Sequence, residues 1–126
     1  MARISTTGIT NALTGVFPAA TTFYLALFTS DPGTTGASGE VTGGSYARQS
    51  FNFNAATAGS QTGPAVAVNF TGMPAESSVS QWYYGVFTAA TGGTYIAGGL
   101  LSGLPSALSA GATISFATNS LTNTWS

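Results

Sequence analysis

The feature that most restricts this chain is a two-residue alternation of apolar side chains, confined to short runs that Gly, Pro, Asn or Asp break every eight to twelve residues or so. In Thr22–Thr29, TFYLALFT, Phe23, Leu25 and Leu27 fall on one face and Tyr24, Ala26 and Phe28 on the other. A strand that is apolar on both faces is expected in the middle of a sheet, covered on both sides. The same period continues at about Tyr46–Asn54, with Phe51 and Phe53 inward, and at Ala65–Phe70, with Val66, Val68 and Phe70 on one face. Further strands are expected at about Ser78–Ala89, Thr94–Leu101, Ala112–Thr118 and Ser120–Trp125. Thr91-Gly92-Gly93 reads as the turn of a hairpin, and Gly98-Gly99 as a bulge or a close backbone approach. Ser30–Gly44, Ala55–Gly63 and Pro105–Gly111 read as surface loops or turns.

One segment departs from this period. Ile9, Ala12, Leu13, Val16 and Phe17 share a helical face, Ser5, Thr6 or Thr7 can cap its start, and Pro18 stops it. A short helix over about Thr7–Val16 is expected to lay its apolar stripe on a sheet edge; insertion between subunits is the alternative. Together these elements predict an all-β fold, an antiparallel β-sandwich or jelly-roll-like domain with one short N-terminal helix. A length of 126 residues makes residues 1–126 a single domain by expectation, and no internal repeat suggests a solenoid.

Charge narrows the function. Only 4% of residues are charged, against about a quarter in ordinary proteins, and the net charge is −1. No basic patch exists for phosphates, so nucleic acid is not an expected partner. Cys, His and Lys are absent, which removes disulfides, imidazole or thiolate metal sites, Ser-His and Cys-His nucleophile pairs and Schiff-base chemistry. No cofactor, metal or catalytic residue is therefore expected, and the chain reads as a non-enzyme. No apolar run approaches a membrane span, and export through a signal peptide is not expected. Eight Phe, five Tyr and two Trp argue against a disordered chain despite the abundance of Gly, Ser and Thr. A surface this poor in charge suits a subunit that works in an assembly, so a homo-oligomer is expected.

Few residues remain that could carry chemistry. Asp31, Glu40 and Glu76 could supply a carboxylate pair for glycoside hydrolysis, and Asp31, Glu40 and loop carbonyls could hold calcium, but no EF-hand spacing is present. Asp31 stands where Asp opens a turn before Pro32, and Glu40 can pair with Arg48. Asp31, Glu40 and Arg48 are thus read as a structural clamp on the Ser30–Gly44 loop. Trp82, Tyr83, Tyr84 and Tyr95 are candidates for a subunit interface or a glycan-stacking platform, with alternation placing Trp82 and Tyr84 opposite Tyr83.

The run from Tyr24 to Phe53 resembles small bacteriophage virion proteins of the tail fibre or minor tail family. The matching positions are Leu25–Thr29, Asp31–Gly33, Glu40-Val41, Gly43-Gly44 and Tyr46–Gln49, with weaker likeness in the preceding helix and in Ser109–Leu121. The resemblance implies a virion structural component, assembled in the host bacterial cytoplasm and partnered by other phage virion proteins. A tail-associated role at the fibre, tip or minor tail is the first expectation. A capsid decoration protein is the alternative, and a carbohydrate-binding module for host attachment the second alternative.

Overall fold

A computed structural model describes residues 5–124. The elements in chain order are α1 (Thr6–Val16), β1 (Phe23–Phe28), β2 (Gln49–Phe51), β3 (Ser60–Gly63), β4 (Val68–Phe70), β5 (Trp82–Phe87), β6 (Tyr95–Leu101), β7 (Ile114–Phe116) and β8 (Leu121–Thr124). Strands dominate and the helix is single among the described residues, which is the all-β class with one short N-terminal helix. They form a four-stranded sheet in the order β2-β1-β5-β6 and two pairs, β3-β8 and β4-β7. By its contacts the chain divides into two compact units, each drawn from separated segments.

The larger unit comprises Phe23–Ser50 and Asn69–Ser115 and contains most of the four-stranded sheet. Strand β1 pairs antiparallel with β5, Tyr24 opposite Phe87 and Phe28 opposite Tyr83. Phe23, Leu25 and Leu27 are buried on one face, and Ala26 and Phe28 on the other, so this strand lies inside the sheet with both faces covered. Each large apolar side chain fully withdrawn from water contributes about 1.5–3 kcal/mol, which is why this segment sets the core. Ala26, Phe28 and Phe87 form one cluster, with Tyr24, Tyr83 and Tyr95 packed against it. Gly85 leaves room there, since an added Cβ would stand 2.7 Å from Phe28 Cε1.

The smaller unit comprises the segment ending at Thr22, Phe51–Val68 and the segment from Phe116 onward. Ser5 caps α1 by accepting the Gly8 N–H at 3.0 Å. Phe17 tilts onto Phe53 with ring centres 4.8 Å apart, and Phe51 meets Phe53 edge-on at 4.9 Å. Buried Gln61 donates through Nε2 to the carbonyls of Phe17 at 2.7 Å and Asn54 at 2.9 Å, joining the helix end to this core.

Several expected boundaries move. The strand expected over Tyr46–Asn54 is confined to Gln49–Phe51, because the residues before it direct side chains into a polar network. The stretch read as a loop at Ala55–Gly63 contains β3, which lacks apolar alternation and exists through its pairing with β8. Ala65–Phe70 shortens to Val68–Phe70, and Val66 is 76% exposed rather than inward. Hydrogen bonds from Ala65 N–H to Asn52 and from Asn119 N–H to the Pro64 carbonyl hold a bend there, so alternation starts only at Val68. The register irregularity falls between Val86 and Phe87, not at Gly98-Gly99. Those glycines serve instead as a close approach, since a Cβ on Gly99 would meet Tyr84 Cε1 at 2.9 Å. Trp125, expected at the end of the last strand, and Arg3 lie outside the described residues. No described helix is long and apolar enough to cross a membrane.

Candidate functional site

In the larger unit, the polar centre is built around Arg48, immediately before β2. Its Nε donates to Glu40 Oε2 at 2.9 Å and its Nη2 to Glu40 Oε1 at 2.8 Å, a two-pronged pair. The planar guanidinium carries its donors in a fixed fork that matches a carboxylate edge, which a lysine ammonium cannot do. Nη1 turns the other way and donates to the carbonyls of Ala89 at 3.1 Å and Gly92 at 2.8 Å, in the β5–β6 turn. The guanidinium carbon also stands 3.6 Å from the centre of the Phe87 ring. One side chain thus ties the loop after β1, the β5–β6 turn and the aromatic cluster together. Arg48 and Glu40 side chains keep 11% and 25% of their exposure, so water screens the pair only in part.

Tyr46 completes the centre. Its hydroxyl donates to Glu40 Oε2 at 3.0 Å and accepts the Leu27 N–H at 3.0 Å, while its ring stacks on Phe70 at 5.8 Å. Burial, followed by the nearby Glu40 carboxylate, pushes the Tyr46 phenol well above its ordinary value. The hydrogen bonds to Glu40 likewise hold Arg48 more firmly protonated than a free guanidinium.

The Ser30–Gly44 loop is fixed at three further points. Val41 N–H donates to the Leu27 carbonyl, and Thr29 N–H to the Gly39 carbonyl, each at 2.9 Å, which lays residues 39–41 along β1. Tyr95 donates its hydroxyl to the Gly33 carbonyl at 3.3 Å. Gly36, at φ +62°, lies against the Tyr95 ring so closely that a Cβ would stand 2.5 Å from Cδ1. Burial, with the negative charge of Asp31 adding to it, also raises the Tyr95 phenol.

Of the three residues read as a clamp, the structure brings together Glu40 and Arg48. Asp31 stands apart: its Oδ1 accepts the Gly33 N–H at 2.8 Å and shapes the turn locally. The aromatic candidates also separate. Trp82 is 2% exposed and donates its indole N–H to the Pro105 carbonyl at 2.8 Å, so as placed it offers no stacking face to a sugar. Tyr83 and Tyr95 are half-buried on the Phe28–Phe87 cluster, and Tyr84 is half-buried beside Gly99 on the opposite face. Tyr46 enters the sequence reading only as the start of the Tyr46–Gln49 match, and Phe87 and the carbonyls of Ala89 and Gly92 carry no sequence signal for this centre. Standing two residues before Arg48, Tyr46 falls on the same side of an extended chain.

Three of the sequence segments noted above, Leu25–Thr29, Glu40-Val41 and Tyr46–Gln49, land on this assembly, whereas Asp31–Gly33 forms its own turn beside it. Leu25–Thr29 supplies the backbone groups of Leu27, Glu40-Val41 the carboxylate and the β1 contact, and Tyr46–Gln49 the phenol and guanidinium. Gly44 fits where a Cβ would stand 2.6 Å from the Gly72 carbonyl oxygen. Among the described residues no group of three acidic side chains gathers as a metal site.

The family model described as Podophage GP4 fiber I protein gp80 matches residues 2–124. No curated protein matches the chain.

Proposed function

The chain belongs to the podophage fiber I protein family, which makes it a tail-associated structural component of a phage virion, and we propose that it acts there as a repeated subunit built to present a rigid, nearly uncharged surface to copies of itself and to neighbouring virion proteins. The observation that carries this reading is the Arg48–Glu40 pair, which turns two of the few charges inward to hold the Ser30–Gly44 loop. What the subunit offers outward is then hydroxyls, backbone and half-buried aromatics, a surface suited to close packing among identical neighbours. Catalysis has no place in this reading. Both Glu40 oxygens are taken by Arg48, Asp31 is taken by its own turn, and no His, Cys or Lys is present to share proton transfer. Light scattering on the purified chain tests the assembly: the expected result is an oligomer of fixed size, and a monomer at all accessible concentrations would remove the self-assembling part of the proposal.

A further inference from the structure

The chain has only two residues after which a lysine- or arginine-directed protease could cut, Arg3 and Arg48. Arg48–Gln49 is the one such bond among the described residues. Its surroundings are accessible: residues 42–45 and Ala47 are exposed and irregular, as proteolytic nicking prefers, and Ser50 beyond the bond is exposed as well. The Arg48 side chain is not. It keeps 11% of its exposure, and every nitrogen of its guanidinium is engaged.

A protease of this class recognises the residue before the scissile bond by drawing its extended guanidinium onto a carboxylate at the base of a pocket. Here Glu40 already supplies a carboxylate, with both oxygens, and the carbonyls of Ala89 and Gly92 and the Phe87 ring complete a site of the same kind inside the chain. The guanidinium cannot occupy both. On the other side of the bond Gln49 begins β2, whose pairing with β1 must loosen before the backbone fits an extended cleft. Cutting therefore follows the fraction of time the clamp stands open.

We propose that Arg48–Gln49 is a latent cleavage site for arginine-directed serine proteases, masked in the native subunit by the grip of Glu40 on Arg48. Hydrolysis adds water across the bond, leaves a carboxylate on Arg48 and an amine on Gln49, and severs the connection from β1 and the Ser30–Gly44 loop to β2. Clamp and mask are one contact, so whatever frees the loop also exposes the bond. The mask acts within one subunit and is independent of assembly.

The test follows trypsin digestion of the full chain by mass spectrometry, wild type against Glu40→Gln. Circular dichroism checks the fold, and chymotrypsin, which cuts after aromatic residues, gauges global opening. Glutamine keeps the size of Glu40 but gives up its charge and one acceptor oxygen. The expected result is a wild type left uncut after Arg48 and a variant cut there about tenfold faster or more, while chymotrypsin cuts both proteins at similar rates. If Glu40→Gln does not fold, wild type in urea below its unfolding transition carries the comparison, and cutting after Arg48 should rise before chymotrypsin cutting does. Wild type cut after Arg48 as fast as the unfolded chain would overturn the mask. A folded variant in which both proteases speed up equally, or neither does, would overturn it as well.

Discussion

Arg48 holds both carboxylate oxygens of Glu40, through Nε at 2.9 Å and Nη2 at 2.8 Å, across only eight residues of sequence and a loop rich in glycine. Its Nη1 donates to the carbonyls of Ala89 and Gly92, more than forty residues further on. A long flexible segment costs about 1–2 kcal/mol of backbone entropy per residue to order, so a loop of this composition stays fixed only where such ties accumulate.

Arg48→Ala is expected to lower stability by about 2–4 kcal/mol, between the values typical of exposed and buried pairs. Arg48→Lys should recover less than half of that loss, because an ammonium keeps the charge but cannot fork onto Glu40 and two carbonyls at once. Chemical denaturation of the three proteins provides the measurement. Equal stabilities would mean that the pair does not hold the loop.

Tyr46 gives the fold a sensitivity to alkali. Its folded value is raised above its unfolded value near 10, chiefly by burial, so the stabilisation of the neutral phenol is complete below about pH 10. It is lost progressively as pH climbs above 10 toward the folded value. Tyr46→Phe should therefore be less stable than wild type at neutral pH, through loss of the bonds to Leu27 and Glu40, yet lose stability less steeply above pH 10. Parallel curves above pH 10 would contradict this.

Gly33 and Gly36 separate backbone strain from packing. Both hold positive φ, but a Cβ on Gly33 meets nothing within 4 Å whereas one on Gly36 runs into the Tyr95 ring at 2.5 Å. Gly33→Ala should cost about 1–2 kcal/mol and Gly36→Ala a further 1–3 kcal/mol or so. Only the second should speed amide exchange over the Ser30–Gly44 loop. Equal effects would show that the Tyr95 contact does not fix it.

Trp82 is placed to support the core. In a Trp125→Phe variant the remaining indole should be shielded from acrylamide and blind to added sugars. Strong quenching, or a spectral change with oligosaccharide, would restore the stacking role that burial removes.

How far the sequence could be read depended on whether a signal was local. β1, the β5–β6 hairpin and α1 declare themselves through period and capping, and each lies within a residue or a few of its expected place. β3 did not, because Ser60–Gly63 has no apolar face and is made a strand by β8, some sixty residues away. Arg48 and Glu40 were legible as a pair since few charges competed for them. The stacking of Arg48 on Phe87 and its reach to Ala89 and Gly92 were not, being set by the register of a hairpin rather than by any motif. Asp31 illustrates the converse: its turn chemistry was visible, and that local role is the one it keeps.

Electron cryomicroscopy of purified particles tests whether the chain is a repeated fibre subunit, as proposed above. Several copies are expected in the tail fibre, each showing the four-stranded sheet with the Ser30–Gly44 loop ordered against Arg48. Density for the chain on the capsid lattice, or its absence from the particle, would contradict it.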